Sequence, residues 1–212
     1  MEYRIFVNNM WREKSIVLYD ETGDAAVIDC GCVSMEEEDR LRSFLSRKGL
    51  KQVVLLNTHL HPDHVFGNRF MKEEYGLETQ ASKDDEFLID HAVEYAAMLG
   101  MSDVTPPPRI GKYLKDGDSV SFGNSVLQVI AIPGHSPGGL CYYAAADRLL
   151  ISGDVLFAGS VGRADLPGGD ERKLIQGIKD RLLVLSDDVC VIPGHGSMTT
   201  IGEERRYNPF LR

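Results

Sequence analysis

The chain has 212 residues, of which 43% are hydrophobic and 26% charged, a balance typical of an ordinary globular protein and not of a disordered or fibrous one. Its formal net charge of -9 argues against a nucleic-acid-binding surface, because phosphate binding needs clustered lysine and arginine side chains. No apolar run is long enough to span a membrane, and the first residues lack the basic-then-apolar order of a signal peptide, so we expect a cytoplasmic protein without a membrane partner.

The first half of the chain predicts a strand meander followed by helices and strands. Apolar stretches separated by turn residues predict strands at 3–7, 15–19 and 25–28. An amphipathic helix is expected at 36–48, with Ser34 as its N-cap and Gly49 just past its end. A strand at 52–56, a helix from Pro62 to about residue 75 and a helix at about 84–99 follow.

The second half predicts a sheet of its own. Strand-like runs lie at 119–122, 125–132, 140–144, 148–151 and 189–192, and a long helix is expected at 171–185. Strands and helices recurring in this order indicate an α/β protein of two αβ halves packed sheet to sheet, within a single domain that covers residues 1–212.

Potential metal ligands are concentrated in a few short segments. Four of them fall within six positions, at His59, His61, Asp63 and His64. Two Gly-His turns and one Ser-Gly-Asp turn add three more: His135, His195 and Asp154. Imidazole nitrogen and carboxylate oxygen are the ligands that zinc accepts, so this pattern predicts a metal site. We expect no chemistry from His91, which lies within a predicted helix.

Each of these ligand segments follows a predicted strand directly. His59, His135 and His195 come three residues after the strands that end at 56, 132 and 192, and Asp154 comes three after the strand that ends at 151. If the strands are similarly oriented, their ends converge on one rim, where loops present side chains from a rigid scaffold.

The ligand pattern resembles that of the metallo-β-lactamase-fold hydrolases. The motif His59-Leu60-His61-Pro62-Asp63-His64, followed in order by His135, Asp154 and His195, matches along essentially the whole chain. Within that superfamily, the segments 133–138, 152–154, 162–170, 193–196 and 199–210 are similar to the single-domain bacterial glyoxalase II-like, or hydroxyacylglutathione hydrolase-like, proteins. The resemblance implies a four-layer αβ/βα sandwich.

The resemblance also implies two divalent metal ions per chain. One would be held by His59, His61 and His135, and the other by Asp63, His64 and His195, with Asp154 bridging both. Zinc is the expected metal, with iron and manganese left open. Asp29 matches a family position and is expected to support the ligands, although the family's usual proline after it is replaced by Cys30.

Two adjacent cations lower the pKa of a shared water, so the implied reaction is hydrolysis of a small acyl thioester by a metal-bridging hydroxide. Asp63 and Asp154 are the expected catalytic carboxylates, with Asp63 holding the proton in transit. S-lactoylglutathione is one candidate substrate and other acyl thiols stay open, because we expect no counterpart of the glutathione-binding helical domain of full-length glyoxalase II. A mononuclear iron persulfide dioxygenase on the same fold is the main alternative, and a lactonase or phosphodiesterase is a lesser one.

Three further features of the sequence could have a chemical or structural role. Residues 134–138 also fit the Gly-x-Ser-x-Gly elbow of serine hydrolases, but Pro137 lacks the backbone N–H that the oxyanion hole needs after Ser136. Arg163 and Tyr142 are candidate substrate-binding residues, although Arg163 could instead form a structural ion pair with Asp165. The four cysteines, Cys30, Cys32, Cys141 and Cys190, are expected to be reduced, mainly buried thiols.

Overall fold

The computed structural model describes residues 1–51, 53–98, 100–101 and 104–212. These residues form two compact units, the first made of Met1–Tyr113 with Ser121–Ser125 and the second of Leu114–Val120 with Val126–Arg212. Two residues at the ends of predicted elements, Gln52 and Leu99, lie outside the described residues. The prediction of a single domain over the whole chain stays a prediction.

The first unit is built on a six-stranded sheet. Its elements in chain order are β1 Glu2–Asn8, β2 Glu13–Tyr19, β3 Ala25–Ile28, α1 Met35–Lys48, β4 Val53–Leu56, α2 Pro62–Val65, α3 Asn68–Tyr75, β5 Thr79–Ala81, α4 Glu86–Asp90, α5 Ala92–Met98 and β6 Ile110–Tyr113. The strands lie in the order β1-β2-β3-β4-β5-β6. The first three are antiparallel, whereas β3 to β6 are parallel. Parallel strands bring their carboxyl ends to one edge of the sheet. Residues 59–64, called the ligand segment below, follow β4 at this edge.

Helix α1 follows its sequence prediction closely. The Ser34 hydroxyl accepts the Glu37 backbone N–H while the Glu37 carboxylate accepts that of Ser34, and Gly49 ends the helix at φ 64°. Both caps satisfy backbone groups that the helix itself leaves unpaired. Leu41 and Leu45 are buried against the sheet, in a core shared with β2, β3, β4 and α3.

The predicted helix at 62–75 is wrong in one respect, because it is two helices. The Gly67 backbone N–H donates to the carbonyl oxygen of Cys30 at 2.8 Å, and not to a carbonyl one turn earlier. A side chain at Gly67 would place its Cβ 2.5 Å from the Cys30 Sγ atom. The close approach of these two segments breaks the helix between α2 and α3.

The predicted helix at about 84–99 is also interrupted. A 3-10 turn at Lys83–Asp85 precedes α4, and His91 at φ -107° separates α4 from α5. The interruption changes which side chains face inward, so Ile89 is buried while Val93 is 41% exposed.

The second unit contains most of another six-stranded sheet, whose residues 121–122 and 125 belong to the first unit. Its elements in chain order are β7 Ser119–Phe122, β8 Ser125–Ala131, β9 Leu140–Ala144, β10 Leu149–Gly153, β11 Leu156–Phe157, β12 Ser160–Val161, α6 Glu171–Gly177, β13 Cys190–Pro193, β14 Thr199–Thr200 and α7 Ile201–Tyr207. The large sheet has the order β14-β13-β10-β9-β8-β7, in which β10 and β13 are parallel. Helix α6 continues as a π-helical turn to Leu182, short of the predicted end at residue 185.

The elements that the sequence did not predict are short. Strands β5, β6, β11, β12 and β14 have two to four residues, and α7 has seven. Such lengths carry too few apolar positions to show a period. Among the described residues, no helix combines the length and apolarity needed to cross a membrane.

Candidate metal centre

The first unit brings four predicted ligands together at the carboxyl end of β4. His59, His61 and His64 are 2%, 8% and 0% exposed. The ring centroid of His59 lies 4.7 Å from that of His61 and 4.1 Å from that of His64. The Nε2 atom of His64 lies 3.7 Å from Oδ2 of Asp63. Three imidazoles buried side by side have lost their hydration, and a bound cation is one way to offset that cost.

Asp29 supports two of these histidines from the end of the neighbouring strand β3. Its Oδ2 atom lies 3.1 Å from Nδ1 of His64 and accepts the Thr58 hydroxyl at 2.6 Å, while Oδ1 accepts the Thr58 backbone N–H at 2.7 Å. The Thr58 hydroxyl oxygen in turn lies 3.0 Å from Nδ1 of His59. Asp29 therefore occupies the supporting position that the sequence predicted for it.

These contacts decide which ring nitrogen of each histidine carries the proton. A carboxylate only accepts hydrogen bonds, so Nδ1 of neutral His64 is the protonated nitrogen and Nε2 keeps its lone pair. The Thr58 hydroxyl gives its proton to Asp29 and therefore accepts from Nδ1 of His59, which leaves Nε2 of His59 unprotonated as well. An unprotonated Nε2 is the form of imidazole that binds a metal.

The second unit brings the other three predicted ligands together. Asp154 follows β10 and His195 follows β13, the parallel neighbour of β10. The Oδ2 atom of Asp154 lies 3.7 Å from Nε2 of His135 and 3.6 Å from Nε2 of His195. The carboxylate thus stands between two imidazoles.

His135 is oriented by a backbone carbonyl. Its Nδ1 atom lies 2.7 Å from the carbonyl oxygen of Arg163, an acceptor, so Nε2 again keeps the lone pair. The approach of this loop depends on Gly162, where a Cβ would lie 1.9 Å from the carbonyl oxygen of Asp154. Loop 162–163 therefore needs a glycine to reach the ligands.

The ligand spacings suit a metal better than direct hydrogen bonds. The three Nε2 to Oδ2 separations of 3.6 to 3.7 Å exceed hydrogen-bond length. A tetrahedral zinc ion with bonds of about 2.1 Å holds neighbouring ligand atoms roughly 3.4 Å apart. Buried nitrogen and carboxylate ligands at this spacing fit a divalent ion.

The candidate substrate residues differ in their surroundings. Tyr142 is fully buried, which gives its predicted substrate-binding role no support, and that role stays a prediction. The Arg163 side chain is exposed and forms a two-point ion pair with Asp165, with both hydrogen bonds at 2.7 Å. That pairing lowers the pKa of Asp165 to about 2. His91 is exposed, and its Nδ1 atom lies 3.1 Å from Oε2 of Glu94.

Sequence reasoning missed Glu13, a fully buried carboxyl group behind the ligand segment. One oxygen accepts the Ser15 hydroxyl at 3.2 Å, and a ligand atom of Glu13 lies within 4.8 Å of ligand atoms on Asp29 and His64. Burial raises the pKa of Glu13 well above its usual range. The only signal was an acidic residue two positions before the predicted strand at 15–19.

Comparison with known proteins decides the family. The sequence profile described as the metallo-beta-lactamase superfamily matches residues 10–195. The chain belongs to this superfamily. The prediction of an α/β protein with the metallo-β-lactamase fold is therefore confirmed, and the four cysteines are free as expected, three of them buried.

Individual members of the superfamily are similar over their full length. Hydroxyacylglutathione hydrolase GloC of Haemophilus influenzae is 35% identical over 218 aligned residues, which cover 100% of this chain and 98% of that protein. The crystal structure of the BLEG-1 B3 metallo-beta-lactamase has a TM-score of 0.90 at 31% identity, covering 99% of both chains.

Two further solved structures are similar over most of the chain, and one of them contains iron. TTHA1623 in a di-iron-bound form has a TM-score of 0.87 at 35% identity, covering 98% of this chain and 100% of that one. ETHE1 from Myxococcus xanthus has a TM-score of 0.80 at 25% identity, covering 99% of this chain and 84% of that one.

Proposed function

We propose that this chain is a metal-dependent hydrolase of small acyl thioesters, of the hydroxyacylglutathione hydrolase type. The observation that carries the proposal is the orientation shared by His59, His64 and His135, in which a hydrogen-bond partner holds each Nδ1 atom and Nε2 keeps its lone pair. The full-length similarity to GloC supports the thioester as substrate class. S-lactoylglutathione is one candidate substrate, and thioesters of other thiols are equally open.

The proposed ligand sets follow the superfamily pattern. His59, His61 and His135 would hold one divalent ion and Asp63, His64 and His195 a second, with the Asp154 carboxylate shared. Zinc is the first candidate, and the di-iron form of TTHA1623 makes iron the second. Two such ions would supply an activated water near neutral pH and would polarise the thioester carbonyl.

The chain's own residues have separate tasks in this proposal. Asp29 and the carbonyl of Arg163 keep the imidazole rings oriented. Asp63, whose side chain is 19% exposed, is the carboxylate that can hold the proton taken from the water and pass it to the leaving thiol. The negative charges of Asp63 and Asp154 offset part of the charge of two cations placed close together.

The test is the pair Asp154→Ala and Asp165→Ala. Both remove an aspartate from the second unit, but Asp165 is 68% exposed at the surface whereas Asp154 lies between two histidines. We expect Asp154→Ala to lose turnover of a chromogenic acyl thioester while circular dichroism shows the fold intact, and Asp165→Ala to keep it. Retained thioester turnover in Asp154→Ala would contradict the proposal.

A mononuclear iron persulfide dioxygenase is the second candidate, and the likeness to ETHE1 favours it. Elemental analysis of protein purified without added metal separates the two. A metal content close to two ions per chain supports the hydrolase. One iron per chain, with oxygen uptake on a persulfide, supports the dioxygenase.

A further inference from the structure

Asn9, in the turn between β1 and β2, hydrogen-bonds to the ligand segment. The Asn9 Nδ2 atom donates to the carbonyl oxygens of Gly31 and Asp63, both at 3.0 Å, and Oδ1 accepts the Trp11 backbone N–H at 3.1 Å. The Asn9 backbone N–H donates to the Glu37 carboxylate at 2.7 Å. Asn9 has φ 47°, a conformation that asparagine tolerates better than most residues. These bonds hold Trp11 at a fixed position beside α2.

Trp11 stacks on Phe66, which follows α2 directly. The ring centroids are 6.0 Å apart with an interplanar angle of 30°, and both side chains are half-buried. Phe66 comes two residues after the ligand His64 and forms part of the wall of a cleft of about 550 Å³, lined mainly by α1 and α3. The cleft therefore begins where the ligand segment ends.

The size of the cleft indicates which part of a thioester it could hold. A volume of 550 Å³ is within the range of sites for complete small molecules. A short acyl group would fill only a small part of it. The thiol carrier, the part of the substrate that leaves with the sulfur, is the portion of suitable size.

The charges of the cleft indicate the chemistry of that carrier. The charged side chains that line it are three carboxylates and two guanidinium groups: Glu38, Glu73, Glu74, Arg42 and Arg69. Arg42 is held by Glu74 through two hydrogen bonds. Arg69 donates twice to the carbonyl oxygen of Pro106 and also pairs with Glu73 at 3.4 Å. Burial, aided by neighbouring carboxylates, raises the pKa of Glu38. The excess of carboxylates favours a cation over an anion.

We propose that the cleft, with Phe66 in its wall and Trp11 stacked on Phe66, binds the thiol carrier and selects carriers that bear an ammonium group over carriers that bear a carboxylate or phosphate. Aromatic faces attract an ammonium group through the ring quadrupole, and the Glu38 carboxylate adds Coulomb attraction. The inference rests on the proposed function, because it names the leaving group of the thioester that the metal centre would cleave.

The experiment compares two substrates with the same acyl group and the same two-carbon spacer, acetylthiocholine chloride and S-acetyl-3-mercaptopropionate. On the metal-loaded protein we expect kcat/KM to favour acetylthiocholine by about fivefold or more. Trp11→Leu, which keeps an apolar side chain but removes the aromatic face, and Glu38→Gln should each bring this ratio towards one. Met10→Leu is the control, because Met10 is 70% exposed on the same turn.

A binding measurement independent of turnover uses the chain's one tryptophan. Choline chloride should change Trp11 fluorescence with a saturable curve in the wild type, whereas sodium propionate at equal ionic strength should not. The response to choline should weaken in Glu38→Gln.

The outcomes separate the two proposals. The carrier site is overturned if the protein cleaves thioesters but the ratio of the two kcat/KM values is near one. It is also overturned if this ratio is unchanged in both Trp11→Leu and Glu38→Gln. In either case the hydrolase proposal stands. If the metal-loaded protein cleaves neither thioester, the hydrolase proposal fails. The fluorescence titration then decides alone, and the absence of a saturable response to choline overturns the cation site.

Discussion

Asp29 and His64 are joined by a 3.1 Å contact between Oδ2 and Nδ1, although they lie 35 positions apart in the chain. The same carboxylate holds Thr58 through its hydroxyl and its backbone N–H. Thr58 in turn contacts His59. One buried acid therefore orients two candidate ligands of the first unit.

Replacing this acid should weaken metal binding without unfolding the protein. In Asp29→Ala, the Nδ1 proton of His64 loses its acceptor, and the ring can adopt other orientations and tautomers. We expect the metal dissociation constant, measured by chelator competition, to rise by about 10- to 100-fold. Asp84→Ala removes an exposed aspartate of the same unit and should leave the constant unchanged. Equal metal affinity in the two variants would contradict the role given to Asp29.

Arg163 should tolerate the loss of its side chain, because its contact with His135 is made by the backbone carbonyl. The guanidinium group is 63% exposed and paired with Asp165, and exposed ion pairs contribute little to stability. We expect Arg163→Ala to retain its metal content, with KM for a carboxylate-bearing thioester changed by less than about twofold. A KM increase of tenfold at unchanged metal content would instead assign the side chain to substrate binding.

Gly67→Ala should destabilise the first unit. The added Cβ would lie 2.5 Å from Sγ and 3.0 Å from the carbonyl oxygen of Cys30. Overpacking of this kind costs about 1 to 3 kcal/mol in the free energy of unfolding, measurable by urea denaturation. Removing the sulfur in Cys30→Ala should relieve part of this cost. A double-mutant cycle in which Gly67→Ala is equally costly in both backgrounds would show that the Sγ contact is not the cause.

Stability at acid pH should depend on Asp20, a side chain that is 8% exposed. Burial alone would raise the pKa of Asp20, but hydrogen bonds from Thr22, Ser125 and Asn124 outweigh it and lower the pKa from its ordinary 3.8 to about 2. The ionised form is thus favoured in the folded state. Its contribution to stability is fully present above about pH 4 and is lost as the pH falls through about 2.

The measurement compares the urea unfolding free energies of the wild type and Asp20→Asn across this pH range, after the same chelator treatment of both. We expect the wild type to be more stable above pH 4 and the difference to shrink towards pH 2. If the difference in unfolding free energy stays constant with pH, the hydrogen bonds of Asp20 contribute to stability but its charge does not.

Several parts of the site could be predicted from sequence because their signals are local. The ligands crowd into one short motif and a few Gly-containing turns after strands, and the structure has each of these segments at a strand end. Helix α1 was predicted with both caps because Ser34 and Gly49 act on backbone groups within one helical turn. In such cases the interacting atoms are close in the chain.

The sequence by itself thus determined the superfamily, the candidate ligands and the strands that carry them. Only the tertiary structure decided which ring nitrogen of His59, His64 and His135 is held by a hydrogen-bond partner, that α2 and α3 break at Gly67, and that Trp11 stacks on Phe66. The physical reason is common to all three. Hydrogen bonds and packing contacts between residues distant in the chain exist only once the fold has brought their atoms together, and no local period or spacing encodes them.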